Sequence, residues 1–161
     1  YVSDNNPIRI SVNFVADDKE AIAFFGNQKR YDKLAAKREG RKVIIASNVK
    51  SSSENDVVVN YHNLINRGYK YFENSTIMLL NLMKSLNPSK ITIAGFDGFR
   101  PELNQNYADS SYQNDRHKAE FETINKEVSA MLADIIETLY PECPVKLLTP
   151  SVYTEYLPKQ I

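Results

Sequence analysis

Lys90-Ile-Thr-Ile-Ala-Gly-Phe-Asp-Gly-Phe99 reads as a buried strand that runs into a tip flanked by glycines. Ile91, Thr92, Ile93 and Ala94 form a short alternating run rich in β-branched residues, the pattern of a half-buried strand. Gly95 and Gly98 let the backbone turn sharply and approach a ligand closely. In an open α/β sheet, ligands bind at the carboxyl ends of the strands. Gly95, Phe96 and Asp97, with Tyr107 downstream in Asn106-Tyr107, are therefore candidates to line a pocket for a polar small molecule. The competing reading is that Asp97 only caps the turn by accepting nearby backbone N–H groups.

On the amino-terminal side of this stretch, Asn74 or Ser75 is placed to cap a helix carrying Ile77, Met78, Leu80, Leu82, Met83 and Leu86. These apolar positions cover most of its circumference, so the helix is expected to be buried on a sheet. Asn87-Pro88-Ser89 ends it, and strand, helix and strand with short loops signal a parallel crossover unit. Further upstream, residues 8–15, 21–25, 42–47 and 56–59 read as strands. Gln28 to Glu39 reads as a helix stopped by Gly40, and Asn48 to Asn55 as a polar, serine-rich loop. Asn60 to Phe72 has no clean period. Downstream, residues 99–115 read as a polar loop. A long helix is expected from about His117 to Tyr140, with Phe121, Ile124, Val128, Met131, Leu132, Ile135, Ile136 and Leu139 on one stripe. Val145 to Thr149 reads as the last strand. The alternation predicts a single Rossmann-like domain over 1–161, a three-layer α/β/α sandwich with a mostly parallel sheet.

Bulk composition narrows the function classes. Twenty Lys and Arg balance twenty Asp and Glu, which gives no general attraction to nucleic acid or an anionic membrane. The longest apolar runs fall well short of the roughly 20 residues that span a bilayer, and no secretory signal pattern opens the chain. One cysteine, Cys143, cannot form an internal disulfide, which leads to an expectation of a reducing cytoplasm. Tyr1 in place of an initiator methionine, followed by the polar run Ser3 to Asn6, is expected of a piece cut from a longer polypeptide.

The polar residues fall at the strand ends. Asn13, Asn27, Ser47, Asn48, Gly95-Phe96-Asp97 and Thr149-Pro150-Ser151 gather on one edge if the sheet is parallel, together with the helix start at Asn74 and Ser75. Amides and hydroxyls supply both donors and acceptors, and a helix N-terminus favours an anion. That set suits a nucleotide or a sugar-like ligand; otherwise these residues simply cap turns. Lys29 and Arg30 after the second tip could meet a phosphate or carboxylate, or form a solvated helix start. His62 and His117 lie far apart, and no His, Cys or carboxylate spacing suggests a metal site. Dinucleotide, phosphate-loop and nucleophile-turn motifs are missing, and no catalytic residue is assigned.

The ordered series Ile10-Ser-Val-Asn-Phe14, Phe24-Phe-Gly-Asn-Gln-Lys-Arg-Tyr31, Ala46-Ser-Asn48, Asn74-Ser75, Ala94 to Phe99, Asn106-Tyr107 and Leu148 to Tyr153 spans essentially all of the chain. It resembles the carboxy-terminal domain that follows a TIM-barrel aldolase in bacterial 4-hydroxy-2-oxovalerate aldolase-like proteins of the HMG-CoA-lyase-like superfamily, often encoded in surface-polysaccharide gene clusters. The resemblance implies an aldolase-type lyase as parent, with the barrel as intramolecular partner. It also implies that the divalent metal belongs to that barrel, with no cofactor and no aldolase chemistry in this part. Ser75-Thr76, Gly95-Phe96-Asp97 and Tyr107-Ala108 are also distantly similar to the nucleotide-sugar site of family-42 sialyltransferases and related pterin-kinase-like domains. The glycine-rich first loop of that family has no place here, and its general-base histidine has no counterpart, since His117 follows Asp97 too soon. Three readings follow: an accessory module binding a nucleotide or sugar nucleotide, a glycosyl- or phosphotransferase domain using a nucleotide donor, and a structural or homo-oligomerising domain.

Overall fold

The computed structural model describes residues 7–34, 37, 39–100, 118–139 and 142–154. The fold is a Rossmann-like mixture of parallel strands and helices, and the chain divides into two compact units. The first comprises residues 1–65 and 73–82; the second comprises 66–72 and 83–161.

In the first unit, β1 (Ile10–Val12), β2 (Ile22–Phe25), β3 (Val43–Ala46) and β4 (Val57–Val59) form a sheet in that order, every pair parallel. The two middle strands are apolar throughout because both their faces are covered. Phe24 and Phe25 are adjacent and point to opposite faces, yet both are fully buried. Burying side chains of this size contributes about 1.5–3 kcal/mol each. One cover is helix α1 (Gln28–Leu34), whose Tyr31 meets Phe25 edge to face at 5.7 Å. Another is the start of helix α2 (Ser75–Leu86): a Cβ on Gly26 would lie 2.9 Å from Met78 Sδ, so the glycine permits this approach. β4 is paired only on one side among the described residues, and Val57 and Val58 are both more than half exposed.

Among the four strands of this sheet, only β2 and β3 are joined through a helix. Residues 13–21 and 47–56 carry the other two parallel connections as loops, shorter than the dozen or so residues usual for a crossover. The serine-rich loop holds its shape by hydrogen bonds. Buried Tyr31 donates its hydroxyl to Asp56 at 2.5 Å and accepts from the Ser52 amide at 2.7 Å. Ser51 donates to the same Asp56 oxygen at 2.7 Å, and the Lys50 amide donates to Gln28 at 2.6 Å.

In the second unit, β5 (Ile91–Ile93) and β6 (Val145–Leu147) pair in parallel. Helix α3 (Phe121–Leu139) buries all eight apolar residues of the stripe named above. It starts four residues later than expected, after a 3-10 turn at Lys118–Glu120; His117 lies outside the described residues. Tyr71 and Tyr69 tie the preceding loop to this helix. The Tyr71 amide donates to Glu127 at 2.7 Å, its hydroxyl donates to Glu120 at 2.9 Å, and the Tyr69 hydroxyl donates to Asp134 at 3.2 Å.

Some expectations shift in detail. The aperiodic stretch from Asn60 contains a 3-10 turn at Tyr61–Asn63, which Asn60 caps through the His62 amide. α1 is described over Gln28–Leu34 and Glu39 lies in a turn at φ +44°, while residues 35, 36 and 38 lie outside the described residues. The amino-terminal half of α2 is buried, but Leu82 and Met83 are half-buried and Leu86 is exposed, so the all-round burial expected of it fails at the carboxyl end. Among the described residues, no helix is long and apolar enough to cross a membrane.

Candidate functional site

Because β1 to β4 run parallel and in register, their carboxyl ends lie on one edge of the first unit. Asn13 ends β1, Gly26 and Asn27 follow β2, and Ser47 and Asn48 follow β3. Helix α2 starts beside Gly26, with Ser75 Oγ 3.0 Å from where a Cβ would stand. The structure therefore brings together Asn13, Asn27, Lys29, Arg30, Ser47, Asn48, Asn74 and Ser75 in one unit. Gly95, Phe96 and Asp97 belong to the second unit, and Tyr107 lies outside the described residues.

Several of these residues also have local structural tasks. Asn27 Oδ1 accepts from the Arg30 amide at 3.2 Å and opens α1. Asn74 Oδ1 accepts from the Thr76 and Ile77 amides at 3.0 and 3.1 Å, a helix N-cap that satisfies two donors otherwise orphaned. Ser47 Oγ accepts from the Tyr61 amide at 3.0 Å and links the β3 and β4 tips. Asn48 reaches Gly26 O only at 3.4 Å and is exposed, leaving most of its amide open to a ligand. Lys29 is exposed at the start of α1. Asn13 adopts φ +61°, a left-handed conformation that Asn tolerates better than most residues. Its Oδ1 is buried without a hydrogen-bond partner. Such an atom carries a desolvation cost that a donor from a ligand would remove.

At the second unit's tip, Gly95 N donates to Thr149 Oγ1 at 2.9 Å, and that hydroxyl donates to Asp97 Oδ1 at 2.8 Å. Ser151 Oγ donates to Phe96 O at 2.6 Å, and Phe96 packs on Tyr153 with centroids 4.6 Å apart. Asn125 clamps the continuing chain: it accepts from Phe99 N at 3.0 Å and donates to Phe99 O at 2.7 Å. The same Oδ1 accepts from the Tyr153 hydroxyl at 3.1 Å. Sequence reasoning passed over Asn125. Its only signal was an amide, a modest helix former, next to the apolar stripe of a long helix.

Tyr61, in the 3-10 turn after β4, has its phenol held protonated above the ordinary tyrosine range. Burial is the main cause, followed by its 2.6 Å hydrogen bond to Glu73 and that carboxylate's charge. Burial likewise raises the Cys143 thiol and keeps it from acting as a thiolate. Among the described residues, no group of three His, Cys, Asp or Glu is placed to hold a metal ion.

No family model, curated protein or solved structure matches the chain.

Proposed function

We propose that this chain is the carboxy-terminal accessory domain of an aldolase-type carbon–carbon lyase. In this reading it holds a nucleotide, a sugar nucleotide or a related polar ligand at the carboxyl edge of β1 to β4. The lyase chemistry belongs to a barrel in the same polypeptide, and the setting is cytoplasmic polysaccharide biosynthesis. The reading is supported above all by the parallel order, which puts the amides of Asn13 and Asn48 and the start of α2 on one edge. This is the place where open α/β sheets bind ligands. The groups on offer there are donors and acceptors suited to a base, a ribose or a sugar.

Thermal denaturation of the chain with uridine diphosphate glucose and with cytidine 5′-monophosphate tests this. A ligand that binds the folded state raises Tm by mass action. Asn48→Ala, an exposed change with little structural cost, should remove most of the shift. Absence of a shift with either nucleotide at millimolar concentration would leave the domain as a structural companion of the barrel.

A further inference from the structure

The opposite edge of the same sheet carries a basic cleft. A cavity of about 540 Å³ opens where β1, β2 and β3 begin, and Arg9, Lys19, Arg41 and Lys42 line it against a single carboxylate, Glu20. We propose that this cleft binds a small organic phosphate.

Charge is the first support. The whole chain has no net charge, so four cations around one concave surface are a local concentration rather than a background. Arg9 is partly neutralised by Asp18, with Nε 2.9 Å from Oδ2. No acid pairs with Lys19, Arg41 or Lys42 among the described residues. Lys19 and Lys42 are exposed and make no side-chain hydrogen bond there.

The second support is Arg41 itself. Glu39 and Gly40 both take positive φ, +44° and +79°, and reverse the chain just before it. Its Nη2 donates to Asp17 O at 3.2 Å, which fixes the guanidinium, while Nε is buried and has no acceptor. A buried N–H without a partner is costly. An anion oxygen would supply the missing acceptor, and guanidinium recognises phosphate oxygens through such paired donors.

The third is shape. The volume lies in the range of small-molecule sites. One wall is apolar, with Ile8 71% exposed beside Ala21 and Ile22. A phosphate against the cations would leave an organic group on that wall. The carboxyl-edge site proposed above plays no part in this, because the two sites sit at opposite ends of the strands.

Calorimetric titration of the chain with phenyl phosphate, beside backbone amide spectra at low ionic strength, is the test. Saturable binding should shift the Ala21, Ile22 and Arg41 amides. The double variant Lys19→Gln/Lys42→Gln, which touches exposed and unpaired side chains, should stay folded by circular dichroism and bind about tenfold more weakly or worse. Arg41→Lys keeps the charge but loses the fork, and should weaken binding several-fold. Asn48→Ala should leave it unchanged. No saturable binding, or equal binding by the double variant, overturns the proposal. Inorganic phosphate binding as tightly as phenyl phosphate overturns the organic part of the ligand.

Discussion

The tip of β5 and β6 and the carboxyl edge of β1 to β4 are built from similar residues, yet the first is closed on itself and the second is only partly so. Around Gly95 to Phe99, polar groups are tied to one another: Thr149 bridges Gly95 and Asp97, Ser151 holds Phe96 O, and Asn125 holds both backbone groups of Phe99. At the edge of the four-stranded sheet, Asn27 and Asn74 are taken up as caps. Asn48 is barely engaged, and Asn13 keeps a buried oxygen unpaired. The same Gly-Asn-Ser-Asp vocabulary therefore writes a rigid turn in one unit and an edge with unused amide groups in the other. Only the hydrogen-bond partners, set by residues far away in sequence, separate the two.

The largest effect expected from disturbing this contrast is at Gly98. Its φ is +85°, and an added Cβ would stand 2.2 Å from Val152 Cγ2. Left-handed strain and overpacking together should make Gly98→Ala cost about 3 kcal/mol or more. Gly95→Ala, at φ +72° with nothing within 4 Å, should cost only the backbone part, about 1 kcal/mol. Chemical denaturation of both variants measures the difference. Equal losses would show that the tip is not tightly closed.

Next comes the loop that supports the open edge. Tyr31→Phe removes a buried hydroxyl that serves Asp56 and the Ser52 amide at once. The expected loss is about 1–3 kcal/mol, read as a lowered denaturation midpoint at unchanged m-value. If stability is unaltered, the serine-rich connection is not what holds β4 in place. Asn74→Ala follows, at about 1 kcal/mol for a lost N-cap. A Ser at the same position should restore most of it, whereas no rescue would give Asn74 a role other than capping.

Much of the fold was legible because burial leaves periodic traces. The stripe of α3 is buried residue for residue, and the apolar runs of β2 and β3 follow from cover on both faces. The turn at Asn13 was not legible, since a left-handed residue after Val12 cuts the alternating run short without a glycine to announce it. Nor was the exposed end of α2, because an apolar helix reads the same whether or not a neighbour reaches its last turn. For the candidate site, sequence located the strand tips but not their occupancy. That Thr149 would engage Asp97, 52 residues away, is a property of the β5–β6 pairing and of nothing near Asp97. The basic cleft escaped for a similar reason: Arg9, Lys19 and the Arg41-Lys42 pair are scattered along the chain and meet only through the parallel register.

Asp97→Ala is the smallest of these perturbations and the one that sharpens the contrast most. The carboxylate is exposed and takes one hydrogen bond, from Thr149 at 2.8 Å. In its absence that hydroxyl can donate to water and still accept from Gly95 N, so the cost should stay below about 1 kcal/mol. Nucleotide binding is the informative readout. If the variant keeps the ligand-induced rise in Tm that Asn48→Ala loses, the aspartate belongs to a closed turn and the binding edge lies in the first unit. If it loses that rise at nearly full stability, the carboxylate touches the ligand, and the division between a rigid tip and a binding edge disappears.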